Sequence, residues 1–336
     1  MKKRICLTLI LGLISCVFIQ PVAVKASDRS LKSWFIEQYF WLKGDKSYYS
    51  EQDEAEFQKY VNSAGETSNN GYTLEPSLVN GTLVKEEKHQ MTVYSWNDKN
   101  DPNQKVILYL HGGSYLNNPT TYHIDMLKKI SSQLDAKIVL PIYPKAPKYA
   151  YHQVMPLLVD LYQDVYMSRS QNAKNITLMG DSAGGGLALG LARALTYEPK
   201  PYPLAQPKDI ILLSPWLDVS MSHPEIPAYE STDPILSAWG LKRVGALWAG
   251  DEGNVHHEYV SPKNGPLDKL APITLFVGTR EIFYPDVRDF EQRLSNENLR
   301  HNYFVGNGMN HAYPIYPISE ADKAQRDIVQ IINRPA

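Results

Sequence analysis

A serine hydroxyl is a weak nucleophile unless its surroundings activate it, so Gly180-Asp181-Ser182-Ala183-Gly184 draws attention by its setting. The stretch fits G-x-S-x-G. Ile176 to Met179 before it is a short apolar run suited to a buried strand, and Leu187 to Thr196 after it reads as an apolar, Ala-rich helix. A serine on the sharp turn between strand and helix presents its Oγ at the sheet edge, and flanking glycines fit where a Cβ would clash. A helix start also leaves backbone N–H groups free to face a developing negative charge. The chemistry this allows is acyl transfer, which further needs a base, an acid to orient the base, and oxyanion donors.

Open parallel sheets place their sites outside the C-terminal ends of the strands, and that rule narrows the partners. His111-Gly112-Gly113-Ser114-Tyr115 follows the apolar run Val106 to Leu110, and bare backbone amides there can hold an oxyanion together with the N–H of Ala183. Of the nine histidines, His311 is best placed as the base, after the last strand run and before the last helix. His301 opens that strand at the opposite end. His111 suits an ordering role in its own loop, and His256-His257 suits packing in an insertion. The expected chain order is serine, acid, histidine. Glu281 and Asp286 both follow the strand run Ile273 to Val277. Glu281 lies nearer the strand end, whereas Asp286 begins a helix after Pro285 and can serve as its N-terminal charge. Asp233 falls in the insertion and is disfavoured.

The elements around these residues alternate. Leu31 to Leu42 predicts a helix with one broad apolar face built on Leu31, Trp34, Phe35, Tyr39 and Leu42, either docked on the core or serving as a flap over a pocket. Glu51 to Val61 predicts a second helix, and Ser63 to Asn70 a linker. Thr82 to Glu87 and Gln90 to Trp96 read as antiparallel strands. Strands Val106–Leu110, Lys137–Ile142, Ile176–Met179 and Ile210–Leu213 then alternate with helices Tyr122–Leu134, Tyr151–Met167 and Leu187–Thr196. Residues 215–272 interrupt the pattern, with an apolar helix over Ser237 to Ala249, and read as a cap on the sheet's C-terminal edge. Strand Ile273–Val277, helix Asp286–Leu299, strand Asn302–Val305 and helix Ser319–Ile332 complete the chain, with Ser319 and Asp322 as a capping-box variant. The class is α/β: a mostly parallel central sheet with helices on both faces.

Composition sets bounds. The 336 residues are 43% hydrophobic and 21% charged, which describes a folded chain rather than a disordered one. A formal charge of −2 gives no electrostatic case for nucleic acid. Met1-Lys2-Lys3-Arg4 followed by the apolar run Ile5 to Ile19 reads as a secretory leader, residues 1–26, cut after Ala26. The alternatives are lipidation at Cys16, in Leu13-Ile14-Ser15-Cys16, and a retained anchor. Both cysteines, Cys6 and Cys16, lie in this leader, so its removal leaves a thiol-free chain secreted or held at the cell envelope. A membrane is expected as a partner only through the leader.

His111-Gly112-Gly113, Tyr143-Pro144-Lys145-Ala146-Pro147, Gly180 to Gly185, Gly278-Thr279-Arg280-Glu281 and His311 occur in the order found in the hormone-sensitive-lipase-like branch of the α/β-hydrolase fold, and resemble the steryl acetyl hydrolase group within it. The similarity runs from about Lys105 to the end. It implies a triad of Ser182, Glu281 and His311, an oxyanion hole from the backbone N–H groups of Gly113, Ser114 and Ala183, and a cap assembled from the N-terminal helices (27–70) and the insertion, over a catalytic domain spanning 71–336. Two positions depart from the family pattern: Ser114 replaces a third glycine, and Glu281 stands where the family usually has aspartate. The expectation is an exported serine carboxylesterase for small-molecule esters with short- to medium-chain acyl or acetyl groups, needing no cofactor or metal. Hydrolysis of amides or peptides by the same triad, and a non-catalytic binding protein on the same fold, are the alternatives.

Overall fold

A computed structural model of the chain describes residues 29–197 and 204–335. The leader, with Cys6, Cys16 and the cleavage position after Ala26, lies outside the described residues. Eight strands form one sheet in the order β1-β2-β4-β3-β5-β6-β7-β8, with β1 Leu83–Lys88, β2 Met91–Trp96, β3 Val106–Leu110, β4 Lys137–Ile142, β5 Ile176–Asp181, β6 Asp209–Leu213, β7 Ile273–Gly278 and β8 His301–Gly306. β2 runs antiparallel to both β1 and β4, and every other pairing is parallel. β4 lies on one side of β3, and the chain then crosses over β3 to place β5 on its other side, so the strand order reverses there. That reversal opens a crevice at the strands' C-terminal ends.

The central strands are buried on both faces. Along β3, Val106, Leu108 and Leu110 join one core cluster while Ile107 and Tyr109 join the other. This period-2 division is what a strand between two helical layers must show. The helices Tyr151–Ser168, Ser182–Tyr197 and Tyr284–Asn296 cover the first face, and Thr121–Leu134 with Ser319–Asn333 covers the second. Among the described residues no helix is long and apolar enough to cross a membrane.

Several boundaries and one face differ from expectation. The expected linker Ser63 to Asn70 belongs to a single helix, Glu54–Asn69. Gly65 is no breaker there, because a Cβ would collide with Pro147, and the bare backbone lets the helix lie against that loop. The Asn69 side chain fixes its end by bonding the Lys145 backbone in both directions, at 2.9 and 3.1 Å. Ser319 is the first residue of the last helix rather than its cap; Ile318 holds the cap position with no side-chain bond. The helix after the elbow begins at Ser182, five residues before the first leucine of its apolar run. Most instructive is Leu31–Lys43. Its buried residues are Ser33, Glu37 and Phe40, while Leu31, Phe35 and Leu42 stand exposed, so the broad apolar face points away from the core.

Polar ties explain that orientation. Glu37 is 3% exposed and accepts from Arg280 at 2.7 and 3.1 Å and from Arg29, while Arg29 also donates to the Gly308 carbonyl at 3.0 Å. Ser30 bonds Glu320 through both its N–H and its hydroxyl. A buried carboxylate with two guanidinium partners dictates which side of a short helix faces inward.

Candidate active site

The site grows from the end of β5. Ser182 has φ 53°, the left-handed conformation of a tight strand-to-helix turn. The flanking glycines have a steric reason: a Cβ at Gly180 would strike the Gly184 carbonyl, and one at Gly184 would strike the carbonyl oxygens of Leu110 and His111. The elbow is thus wedged against the end of β3, which carries the next loop. Gly112 passes so close that a Cβ there would meet the Asp181 carboxylate.

His311 follows β8 and reaches Ser182. Its Nε2 accepts from the Ser182 hydroxyl at 2.9 Å, and its Nδ1–H donates to Glu281 Oε2 at 2.5 Å. Glu281, fully buried, uses its other oxygen to accept from Ser214 Oγ at 2.6 Å and from the Gly278 N–H at 2.7 Å. Ser214 in turn accepts from the Ala312 N–H at 2.9 Å, so the loop bearing His311 and the acid share one bracket. Burial pulls the His311 imidazolium down, but the adjacent Glu281 carboxylate outweighs it, and the pKa stands above its ordinary value. Asp286 is elsewhere: it pairs with Lys263 at 2.9 Å and lies in the first turn of its helix. Of the two candidate carboxylates, Glu281 is the one in contact with His311.

The loop Gly112 to Tyr115 lies across the crevice. Gly113, Ser114 and Tyr115 have φ of 114°, 55° and 57°, and Leu116 and Asn117 donate to the Gly113 carbonyl to close the turn. Three successive residues of positive φ turn the backbone sharply at the edge of the crevice. Gly113, Ser114, Ser182 and His311 all line one cavity of about 900 Å³, and Ala183 is buried directly behind the serine. Of the other histidines, His301 bonds Glu291 and the Leu299 carbonyl, and His257 packs among Tyr151 and Tyr259. His111 donates to the Gly112 carbonyl and stacks on Tyr143, whose hydroxyl donates to the His111 carbonyl at 2.7 Å. Burial and then the Lys145 charge hold the His111 ring well below its ordinary pKa, keeping it a neutral support for the loop.

Sequence reasoning missed three supports. Asp181 is the residue between glycine and serine in the elbow. It accepts from Tyr109 at 2.6 Å, the Gly112 N–H at 2.8 Å and His123 at 3.2 Å, tying the oxyanion-side loop to the nucleophile strand. Burial by itself would raise this carboxyl, but His123, Tyr109 and Gly112 together hold it down to about 2. Ser214 is the second. Asp233 is the third; it accepts from the Ile282 N–H at 3.0 Å, fixing the residue after Glu281, and burial pushes its carboxyl up to about 6. The signal for Asp181 was available, since a carboxylate at a buried strand end must find donors. Nothing local marks the support that Ser214 gives Glu281 or that Asp233 gives Ile282, because those partners are far away in sequence.

Aromatic rings connect the site to the insertion. Trp248 stacks on Tyr115 at 4.2 Å, Tyr115 on Trp216 at 5.6 Å, Trp216 on Phe283 at 5.8 Å, and Phe283 meets the His311 ring edge-on at 5.1 Å. The insertion helix Ala238–Ala249, carrying Trp248, is thereby packed against the loop of Tyr115 and linked through Trp216 and Phe283 to His311.

Comparison with known proteins agrees with this architecture. A family model described as the alpha/beta hydrolase fold matches residues 107–315, and the chain belongs to that family. An esterase of Acinetobacter venetianus is 25% identical over 67% of this chain and 74% of its own length. An acetyl-hydrolase of Streptomyces hygroscopicus is 28% identical over 56% of this chain and 61% of its own. A solved structure from Staphylococcus aureus superposes with TM-score 0.77 at 29% identity, covering 85% of this chain and 95% of that one. A hormone-sensitive lipase from a metagenome library superposes with TM-score 0.74 over 91% of this chain and 98% of its own, at 20% identity, a likeness of fold. The protein is an α/β-hydrolase enzyme of the esterase and lipase type.

Proposed function

We propose that the protein is an exported serine carboxylesterase that cleaves short- to medium-chain acyl or acetyl esters through Ser182, His311 and Glu281. The observation that carries this reading is the continuous chain from Glu281 Oε2 through His311 to Ser182 Oγ, at 2.5 and 2.9 Å. His311, in the tautomer set by Glu281, takes the serine proton as Oγ attacks the ester carbonyl. The N–H groups of Gly113, Ser114 and Ala183 receive the oxyanion, each donor contributing about 3 kcal/mol in the transition state. The tetrahedral adduct collapses as His311 returns the proton to the departing alcohol. Water, activated by the same imidazole, then frees the acid and restores the serine.

The N-terminal helices and the stretch 215–272 form the two parts of the cap in this reading. Tyr48, Tyr49 and Tyr60 from the N-terminal side and Ile235 and Leu236 from the insertion line the cavity, which suits compact esters. Export rests on the basic and apolar character of residues 1–26, with lipidation at Cys16 as the competing fate. Mass analysis of the protein recovered outside the cell separates these.

The test has two parts. A fluorophosphonate should label Ser182 in the folded protein, and Ser182→Ala should abolish both labelling and turnover of p-nitrophenyl esters. An unlabelled, folded wild type would leave a binding protein. A panel of esters of graded acyl length run beside peptide substrates completes it; preferential peptide cleavage would move the reading to amide bonds.

A further inference from the structure

Of the nine large apolar side chains that stand exposed among the described residues, six lie between Leu31 and Tyr48. Leu31, Phe35 and Leu42 are 78%, 61% and 85% exposed and fall on one face of the helix Leu31–Lys43. Tyr39 and Trp41 flank that stripe, at 47% and 39%. The opposite face, with Ser33 and Glu37, is the one turned to the core. A helix that turns Ser33 and Glu37 inward beside Phe40 and leaves Leu31, Phe35 and Leu42 in the open departs from the usual arrangement of a surface helix. A clustered apolar face of this kind marks an interaction site.

We propose that this outward face docks on a lipid surface when the leader is retained or lipidated at Cys16, and so presents the cavity mouth to lipid-borne esters. Its composition is that of an interfacial helix: Leu, Phe, Trp and Tyr on the exposed side, with exposed Lys32 and Lys43 beside them. Its place in the fold fits, since Phe40, Lys43, Asp45 and Tyr48 of the same segment line the cavity that holds Ser182. Its place in the chain favours a bilayer over a second copy as the occupant. The apolar run Ile5 to Ile19, preceded by Met1-Lys2-Lys3-Arg4, ends ten residues before Arg29. Ten extended residues span roughly 33 Å, so a chain held by that run, or by a lipid on Cys16, delivers this helix to the membrane surface.

The experiment uses the full chain and phosphatidylcholine vesicles containing some phosphatidylglycerol, with and without brominated acyl chains. Trp34 and Trp41 lie on this helix, residues 1–28 contain no tryptophan, and Trp96, Trp216 and Trp248 are buried. Brominated lipid should quench the wild type's tryptophan emission and leave that of the triple variant Leu31→Ser, Phe35→Ser, Leu42→Ser almost untouched, even where the leader anchors both. The variant should also hydrolyse hexadecyl butyrate carried in vesicles about tenfold more slowly, with p-nitrophenyl butyrate in solution changed less than about twofold. Equal quenching of the two proteins overturns the proposal, as does a dimer in wild type that the variant dissolves while vesicle quenching stays unchanged. Because quenching needs no turnover, a failed esterase reading would be told apart from a failed docking surface.

Discussion

The helix from Ser182 and the helix from Leu31 are both rich in apolar residues, and the fold treats them in opposite ways. The first is buried from Ser182 through Leu195. Its glycines let it press against the backbone of β3, and close packing holds it. The second buries a serine and a glutamate beside Phe40 and is held by Arg29, Arg280 and Glu320. Close packing tolerates almost no adjustment, whereas ion pairs at a partly exposed rim tolerate a good deal. Apolar content therefore does not decide which side of a helix faces the core; the partner surface does. At the elbow that surface is bare backbone, and at the cap it is guanidinium.

The contrast can be broken at either end. The largest effect is expected at the bracketed acid: Glu281→Gln should lower kcat by about 10⁴-fold, while Asp286→Asn leaves it within about threefold, measured on p-nitrophenyl acetate. The reverse ranking would move the acid to the helix start. Next comes packing. Gly184→Ala forces a Cβ into the Leu110 and His111 carbonyls, and denaturant titration should show a loss of about 3 kcal/mol or more. A near-neutral result would mean that the elbow is looser than its contacts describe.

The cap should respond more gently. Arg280→Ala removes the bidentate partner of Glu37 but leaves Arg29 in place, and Arg280 is itself about a third exposed. The expected cost is about 1 kcal/mol, diminished by salt, with KM altered more than kcat. The smallest effect concerns pH. His311 must be neutral to accept the serine proton, and its pKa is raised, so kcat/KM should fall on the acid side at a pH above the ordinary imidazole value of about 6.5. Removing the carboxylate in Glu281→Gln should slide that limb of the residual activity downward. A limb at or below the ordinary value in wild type would count against the Glu281–His311 pair as drawn.

How much was legible in the chain follows the same division. The strands Val106–Leu110 and Lys137–Ile142 match the expected limits to the residue, because a buried parallel strand is an uninterrupted apolar run. Ser182, Glu281 and His311 come together because each follows a strand at one sheet edge, and strand order is readable. The Leu31 helix lies where its periodicity places it, but its apolar face does not dock on the core, since Glu37's partners Arg29 and Arg280 are not visible in that periodicity. The join at Gly65 was hidden for a related reason: only the Pro147 loop, distant in sequence, makes glycine acceptable inside that helix. The supporting roles of Ser214 and Asp233 are silent in the sequence because the partners that matter, Glu281 and Ala312 for the one and Ile282 for the other, are distant along the chain.

The interlock of Gly112, Gly180 and Gly184 also has a bearing on how this protein can change over generations. Each of these three positions faces backbone or a carboxylate that has nowhere to retreat, so nearly every substitution there is lost with the fold. The exposed positions of the Leu31 helix meet few atoms of the fold, and single replacements there leave the serine undisturbed. Substitution is therefore tightly bounded at the elbow and freer along the outer helix.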